Sequence, residues 1–424
     1  MNKKTFLLVF ILCGLFIAAL VARNGNLLLL AMPFLVYLLV GLIQAPGELT
    51  LISERTMDKA SIVAEQAVDA RVFIKNSGKG LANLHLKDTL YPSMIVLEGQ
   101  EWQRLSLGAG ETTELNYRFT VGRGVYSWKS VHAGASDPFG LFDLEYEIPA
   151  FGEILVLPAP MKTRAAMLKP RFTLHAPGPN PARLAGSGTD FWGIREYRPG
   201  DSLRQLNWRL KARHPQKMFT NEYEREEIAD FGLILDTRKF SNADAMEEAL
   251  FEYSVSAAAS LSESFLKNGN RVSLLVYGRP INTVFPGYGK KHLNILLRIL
   301  AQAKLGAYVP FNYLEYFPAR LFPTRSVIVI FSTVHPRDLD VYTRLRAYGY
   351  EVLLISPDPV EYAARLLPSN ELNTLAFRAA RIERVVLLKR LLKLGVKVVD
   401  WQINNPLETV VHETLDRLTE RRNI

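Results

Sequence analysis

Residues 231–237 read FGLILDT, five uncharged residues running into an aspartate and a threonine. An uninterrupted apolar run of this length suits a strand covered on both faces, because a strand with one wet face would alternate. The same texture recurs in RVSLLVYG (271–278), SVIVIFST (326–333), YEVLLIS (350–356) and VKVVDW (396–401). Between these runs lie amphipathic stretches at 243–269, 291–303, 337–349 and 370–395, and PLETVVHETLDRLTERR (406–422) follows with Pro406 in its first turn. Apolar strands alternating with helices predict a doubly wound α/β domain over 227–424, with helices on both faces of a parallel sheet.

Ligands of such sheets gather at the carboxyl ends of the strands. The first strand ends at Asp236, followed by Thr237, Arg238, Lys239, Phe240 and Ser241. A dinucleotide site needs G-x-G-x-x-G there, and it is absent. PGYGKKH (286–292) and NSGKG (76–80) lack the upstream glycine and the hydroxyl residue of a phosphate-binding loop. An aspartate at the end of the first strand, followed by a long helix, resembles the von Willebrand factor A fold. In that family a D-x-S-x-S loop holds a divalent ion through a carboxylate and two hydroxyls. Asp236 matches, but Arg238 and Phe240 stand at the serine positions, and Ser332 and Thr333 stand where the family often supplies another acid. A guanidinium beside Asp236 repels a divalent cation, so Asp236, Thr237, Ser332 and Thr333 read as a degenerate site; no cofactor is expected, Mg²⁺ included. Arg238 is instead expected to neutralise Asp236 through a charge-assisted hydrogen bond.

Upstream, periodicity fades over 161–226. HAPGPNPARLAGSG (175–188) reads as an exposed loop, and REYRPGDSLRQLNWRLKAR (195–213) follows. Pro199 and Gly200 set a turn, and Asp201 stands where the N-cap of a helix over SLRQLNWRLKAR belongs. On that helix Arg204 and Trp208 are four apart, the spacing of a cation–π contact, and Leu203, Leu206 and Leu210 share one face. The stretch resembles the signature of the bacterial domain of unknown function 58 family: Gly188, Phe191, Arg195, Glu196, Tyr197, Gly200, Asp201, Arg204, Trp208, Ala212 and Arg213 match, and Asn207 replaces the usual aspartate. The layout of nearly the whole chain is similar too. The resemblance implies a membrane protein, often encoded beside a MoxR-type AAA+ ATPase, acting in the assembly or regulation of envelope complexes. It implies no catalytic residues. Arg195, Glu196, Tyr197, Gly200, Asp201, Arg204, Trp208 and Arg213 form either an internal network that fixes the domains or a surface that docks a partner.

Over 47–160, period-two alternation broken by Gly, Pro, Asn and Asp predicts a β-sandwich-like domain. GRG (122–124) reads as a corner between strands, and DPFGLF (137–142) as a turn carrying aromatic plugs. Residues 1–46 hold two apolar stretches of about 17–18 residues, near the lower limit for crossing a ~30 Å hydrocarbon layer. RNGN (23–26) turns between them. A cleaved signal peptide would not be followed so closely by a second span, so a transmembrane hairpin in contact with membrane lipid is expected. Lys3, Lys4, Arg55 and Lys59 flank it, which by the positive-inside rule favours the cytoplasm for the soluble domains, and the family resemblance implies a bacterial inner membrane.

The formal net charge of +9 fits either nucleic-acid binding or basic cytoplasmic surfaces, and decides neither. The single cysteine, Cys13, excludes an intrachain disulfide and a cysteine zinc cage. The seven histidines stand beside no nucleophile motif, and H-E-x-x-H and G-x-S-x-G are absent. Glu196 and Asp201 lie among arginines, which reads as ion pairing. No nucleic-acid reader motif accompanies the basic residues. The expectation is a non-enzymatic, membrane-anchored adaptor whose A-type domain mediates protein–protein interaction, with a MoxR-type AAA+ ATPase as the partner the resemblance implies; the alternatives are a divalent-metal-dependent or hydrolytic enzyme and a binder of an anionic polymer, nucleic acid or lipid.

Overall fold

The computed structural model describes residues 3–47, 49–161, 174–239, 244–278, 280–306, 320–368 and 370–420. The chain divides into two compact units, Met1–Leu157 and Pro158–Ile424.

The first unit opens with α1 (Lys3–Ala22) and α2 (Gly25–Ile43), both long and apolar enough to cross a membrane. Between them Arg23 takes a positive φ of 48°, and Asn24 caps α2 by accepting a bond from the Asn26 amide. Apolar side chains face outward along both helices, with Phe10 69% and Val21 81% exposed, as a lipid-facing hairpin requires.

Nine strands follow: β1 (Leu51–Met57), β2 (Ser61–Val63), β3 (Val68–Asn76), β4 (Leu81–Asp88), β5 (Met94–Gly99), β6 (Trp102–Leu107), β7 (Thr112–Val121), β8 (Gly124–Ser136) and β9 (Asp143–Leu157). They form two sheets, ordered β1-β3-β7-β5 and β2-β9-β8-β4-β6, antiparallel except where β2 runs alongside β9. Strict alternation, as in β3, sends Val72 and Ile74 inward to meet Leu84, Leu86 and Val131 of the other sheet. This is the sandwich that the period-two pattern predicts. Arg55 and Asp88 lie inside it as a fully buried bidentate pair at 2.6 and 2.7 Å, and Tyr117 Oη donates to Asp88 at 2.7 Å. Burial and the neighbouring carboxylate push the Tyr117 hydroxyl well above its ordinary pKa. DPFGLF is a loop closed on its own aspartate: Asp137 accepts from the amides of Phe139, Leu141 and Phe142. That loop meets the hairpin, where Thr5 Oγ1 donates to the Leu141 carbonyl and Tyr37 packs on Phe139.

In the second unit β10 (Leu174–Glu196) precedes α3 (Trp208–Arg213), and β11 (Phe219–Ile228) returns antiparallel along β10. Here the chain departs from the expected exposed loop over 175–188. Its backbone pairs in a ribbon, with register shifts at Pro177, Asn180, Ala185 and Phe191. Proline offers no amide to a ladder, so a strand containing several survives at a sheet edge with breaks in its pairing.

Then come β12 (Asp230–Asp236), α4 (Asp244–Lys267), β13 (Arg271–Tyr277), β14 (Asn282–Gly287), α5 (Gly289–Gln302), β15 (Val327–Phe331), α6 (Leu339–Ala347), β16 (Glu351–Pro357), α7 (Pro359–Leu366), α8 (Glu371–Lys393), β17 (Lys397–Trp401) and α9 (Leu407–Glu420). The six strands form one sheet in the order β14-β13-β12-β15-β16-β17, parallel throughout except for the edge pair β13 and β14. Leu233 and Leu235 point to a core shared with α4, α5 and α9, whereas Ile234 points to one shared with α6 and α8. Every residue of β12 is buried, because both faces are covered.

Candidate functional site

Two regions of the second unit concentrate polar chemistry. In the signature, Asp201 donates its amide to the Arg198 carbonyl at 3.0 Å across the turn made by Pro199 and Gly200, and Gly200 holds a φ of +107°. Arg195, projecting from β10, grips Asp201 with both guanidinium ends at 2.7 and 2.8 Å and turns its Nε to Glu222 of β11 at 2.7 Å. The Arg198 amide adds a third bond to the Asp201 carboxylate at 2.8 Å. The Arg195 guanidinium, with that amide, holds the Asp201 carboxyl down at about 2. Glu196 pairs with Lys217, which lowers its carboxyl below the ordinary value. The Tyr197 amide bonds the Met218 carbonyl and extends the ribbon.

The expected helix over 202–213 does not form as one element. Leu203–Gln205 is a single 3₁₀ turn, Leu206 bridges to Thr220, and α3 starts only at Trp208. Its cap is Asn207, whose side chain accepts from the Leu210 amide at 3.0 Å and also donates to Asn221. Asp201 caps nothing, because Arg195 takes both its oxygens. The break also separates Arg204 from Trp208; among the described residues the arginine–ring contacts are Arg55 over Trp128 and Arg238 over Tyr277. Of the three leucines expected on one face, Leu206 is buried while Leu203 is 66% exposed. Trp208 is 69% exposed, and the side chains of Arg204, Arg209 and Arg213 are exposed with no ion pair among the described residues.

The signature thus separates into two sets. Arg195, Asp201 and Glu222 fix the turn to the ribbon, and Gly200 permits it. Leu203, Arg204, Trp208, Arg209 and Arg213 face outward. Glu222 had no signal in the sequence, since only the pairing of β10 with β11 brings it to Arg195. Gly188, which matches the family signature, lies on β10.

The second region is the carboxyl end of the six-stranded sheet. Arg238 bonds Asp236 through Nε and Nη2 at 2.8 and 2.7 Å, and reaches Asp338 through Nη1 and Nη2 at 3.0 and 2.9 Å. All three side chains are at most 2% exposed. Ser332 Oγ donates to Asp236 at 2.6 Å, and the His335 amide to Asp338 at 3.2 Å. The two carboxylates keep Arg238 charged against the penalty of burial. Thr237 and Thr333 turn to other tasks: the Thr237 hydroxyl donates to the Tyr277 carbonyl, and the Thr333 carbonyl accepts from Arg384. Phe240 and Ser241 lie outside the described residues. Asp338 escaped the sequence reading, because nothing in RDLD distinguishes a buried acid from a helix-start acid.

A cavity of about 30 Å³, room for roughly one water, lies beside this triad, lined by Asp236, Arg238, Ser254, Ser332 and Thr333 among others. Along the same end, Arg384 of α8 bonds Asp400 at 2.6 Å, the Ser356 hydroxyl and the carbonyls of Ser356 and Thr333. No cluster of three or more His, Cys, Asp or Glu placed to hold a metal occurs among the described residues.

Residues 193–357 match the model of the family described as protein of unknown function DUF58, so the match begins in β10 and ends with β16, leaving the hairpin and sandwich outside. An uncharacterized protein of Bacillus subtilis, YeaD, is 38% identical over 120 residues, 28% of each chain. An uncharacterized protein of Mycobacterium tuberculosis is 28% identical over 151 residues, 34% of this chain and 46% of that one. The matched segments therefore span less than half the length of these relatives. Among solved structures, the CARDB domain of a Pyrococcus furiosus protein is similar at 18% identity and a TM-score of 0.19, covering 26% of this chain and 89% of that domain. A FixG-related protein from Vibrio parahaemolyticus gives 10% identity and a TM-score of 0.18, covering 25% and 95%. The DUF58 match over residues 193–357 takes in Arg195, Asp201 and the Arg238 triad, and that segment is what the chain shares with the family.

Proposed function

We propose that this chain is a non-enzymatic, membrane-anchored adaptor whose signature docks a protein partner. The single observation that carries the reading is the division within the signature. Arg195 is consumed by Asp201 and Glu222, whereas Leu203, Arg204, Trp208, Arg209 and Arg213 are outward and unpaired among the described residues. Exposed aromatic and arginine side chains in one patch are the residue types that dominate binding energy at protein interfaces. Among the described residues these side chains make no hydrogen bond or ion pair whose loss would loosen the fold.

The remainder of the second unit serves as a rigid platform of the von Willebrand factor A type. Support for that assignment comes from the strand order, the antiparallel edge strand and the aspartate that ends the central β12. Arg238 occupies the position in which that fold holds an ion. Two N-terminal helices of spanning length support anchoring, and the lysines and arginines flanking them favour a cytoplasmic body. The partner implied by the family resemblance is a MoxR-type AAA+ ATPase, acting on an envelope or membrane complex.

The test separates the two halves of the signature. Trp208→Ala and Arg204→Ala, measured in the full chain, are expected to leave thermal stability within about 0.5 kcal/mol and to abolish pull-down of a MoxR-type ATPase from the same genome. Arg195→Ala is expected to lower stability. Loss of stability in Arg204→Ala, with binding intact, would return that residue to an internal role.

A further inference from the structure

The second exposed feature lies on α8. Its C-terminal half packs Leu387, Leu388 and Leu391 into the core, with Arg384 sealed against Asp400. Apolar residues also recur at Leu372, Leu375, Ala379, Ile382 and Val386, alternating spacings of three and four, and every one of them is exposed. Leu372 is 76%, Leu375 66% and Ile382 65% exposed. Ile382 and Val386 each stand two residues from Arg384 and Leu388, about 200° around an axis with 3.6 residues per turn. The helix therefore has two apolar faces on opposite sides, and the sheet covers one. The expectation that the apolar side of this helix simply covers the sheet accounts for the C-terminal half alone.

A repeat of three and four is the seam of a two-stranded coiled coil, in which such positions meet their equivalents on a second helix. Assigning Leu372, Ala379 and Val386 to the a positions and Leu375 and Ile382 to d places Arg378 at g and Glu383 at the following e. In a parallel pair, a g residue faces the e residue five positions further along the other helix. Arg378 of each chain would then face Glu383 of the other, giving two symmetric ion pairs of opposite charge. Both side chains are exposed, and neither has an ion-pair partner among the described residues. The seam and its flanking charges are thus complementary to themselves.

We propose that α8 pairs in parallel with α8 of a second copy of this chain, through Leu372, Leu375, Ala379, Ile382 and Val386. The inference concerns a surface distinct from the signature and stands whether or not a partner docks there. The seam covers two heptads, below the three to four that sustain an independent coiled coil. Copies confined to one bilayer by the hairpin meet at a raised effective concentration, which offsets that shortfall.

Cys13 is the only cysteine, so the test is site-directed disulfide formation in the full chain carrying Cys13→Ser, oxidised in native membranes. Leu375→Cys and Ile382→Cys, both at d, are expected to give disulfide-linked dimers at least ten-fold more than Thr374→Cys, which lies at c on the outer side. Arg378→Glu should cut the Ile382→Cys dimer several-fold, and adding Glu383→Arg should restore it. The proposal fails if positions 374, 375 and 382 crosslink equally or not at all. It fails equally if a photoreactive lipid labels 375 and 382 while no disulfide forms, since the face would then lie in the bilayer.

Discussion

Arg238→Ala tests the physical centre of the α/β unit. The guanidinium makes four bonds to Asp236 and Asp338 at 2.7–3.0 Å, with all three groups out of water. Its removal leaves two carboxylates facing one another, supported among the described residues by the Ser332 hydroxyl and the backbone amides of positions 238 and 335. Breaking a buried ion pair from one side costs about 3–5 kcal/mol, because a desolvated charge is left uncompensated. For a unit of this size that corresponds to a fall in melting temperature of roughly 6–20 °C. Trp401 is buried in the same unit, so its fluorescence during thermal unfolding of the full chain in detergent is a suitable readout. Removing the charges together, as Arg238→Met with Asp236→Asn and Asp338→Asn, should recover at least half of the loss. In Arg238→Ala, Mg²⁺ at ten times its dissociation constant should return about 1.4 kcal/mol through binding to the vacated oxygens. The native chain should gain nothing from Mg²⁺. A melting shift under about 2 °C in Arg238→Ala, or micromolar Mg²⁺ binding by the native chain in calorimetry, would refute the reasoning.

Three further outcomes follow from the same geometry. Asp88→Asn leaves Arg55 sealed inside the sandwich without its bidentate partner, and should destabilise that unit by about 3–5 kcal/mol in denaturant titration. Gly200→Ala meets no neighbouring atom, so backbone strain at φ +107° alone should cost about 1–3 kcal/mol, seen as a lowered melting temperature. Asp201 is held at about 2 by Arg195, below its ordinary value of ~3.9, so its contribution is complete above that ordinary value and fades as pH falls through about 2. Carboxyl NMR should place its midpoint near pH 2 in the native chain and higher in Arg195→Gln; equal midpoints would remove Arg195 as the cause.

The parallel sheet was legible because burial on both faces leaves no room for polar residues, and FGLIL, VIVIF and their companions carry that constraint openly. The sandwich was legible for the opposite reason, since one dry face imposes strict alternation on β3 and β7. The ribbon of β10 and β11 was not. Its first strand holds glycines and prolines that signal a loop, its second reads TNEYEREEI, and only pairing makes either a strand. The helix expected after Asp201 failed through competition for its cap. Two capping residues, Asp201 and Asn207, were available, and Arg195, just upstream across the turn, withdrew the first by an ion pair that capping patterns do not show. Asp338 was hidden in the same way, a hundred positions from the arginine it meets. Local chemistry was readable where geometry repeats, and unreadable where one charge had several acids to choose from.

That choice bears on what the surplus of positive charge means. Read as composition, +9 suggests an anionic ligand. In the folded chain Arg55, Arg195, Arg238, Arg271 and Arg384 are each committed to carboxylates, at 2.6 to 2.7 Å. These arginines hold strands, turn and sheet end together, and none is offered to a polyanion. In the signature the exposed Arg204, Arg209 and Arg213 alternate along the chain with exposed Leu203 and Trp208, and Arg378 of α8 flanks a row of aliphatic side chains. Phosphate recognition rewards dense charge along a path, whereas protein recognition rewards an apolar anchor with a few charges at its rim. These two exposed surfaces have the second composition, and it is on that composition that the proposed docking and the proposed pairing of α8 both rest.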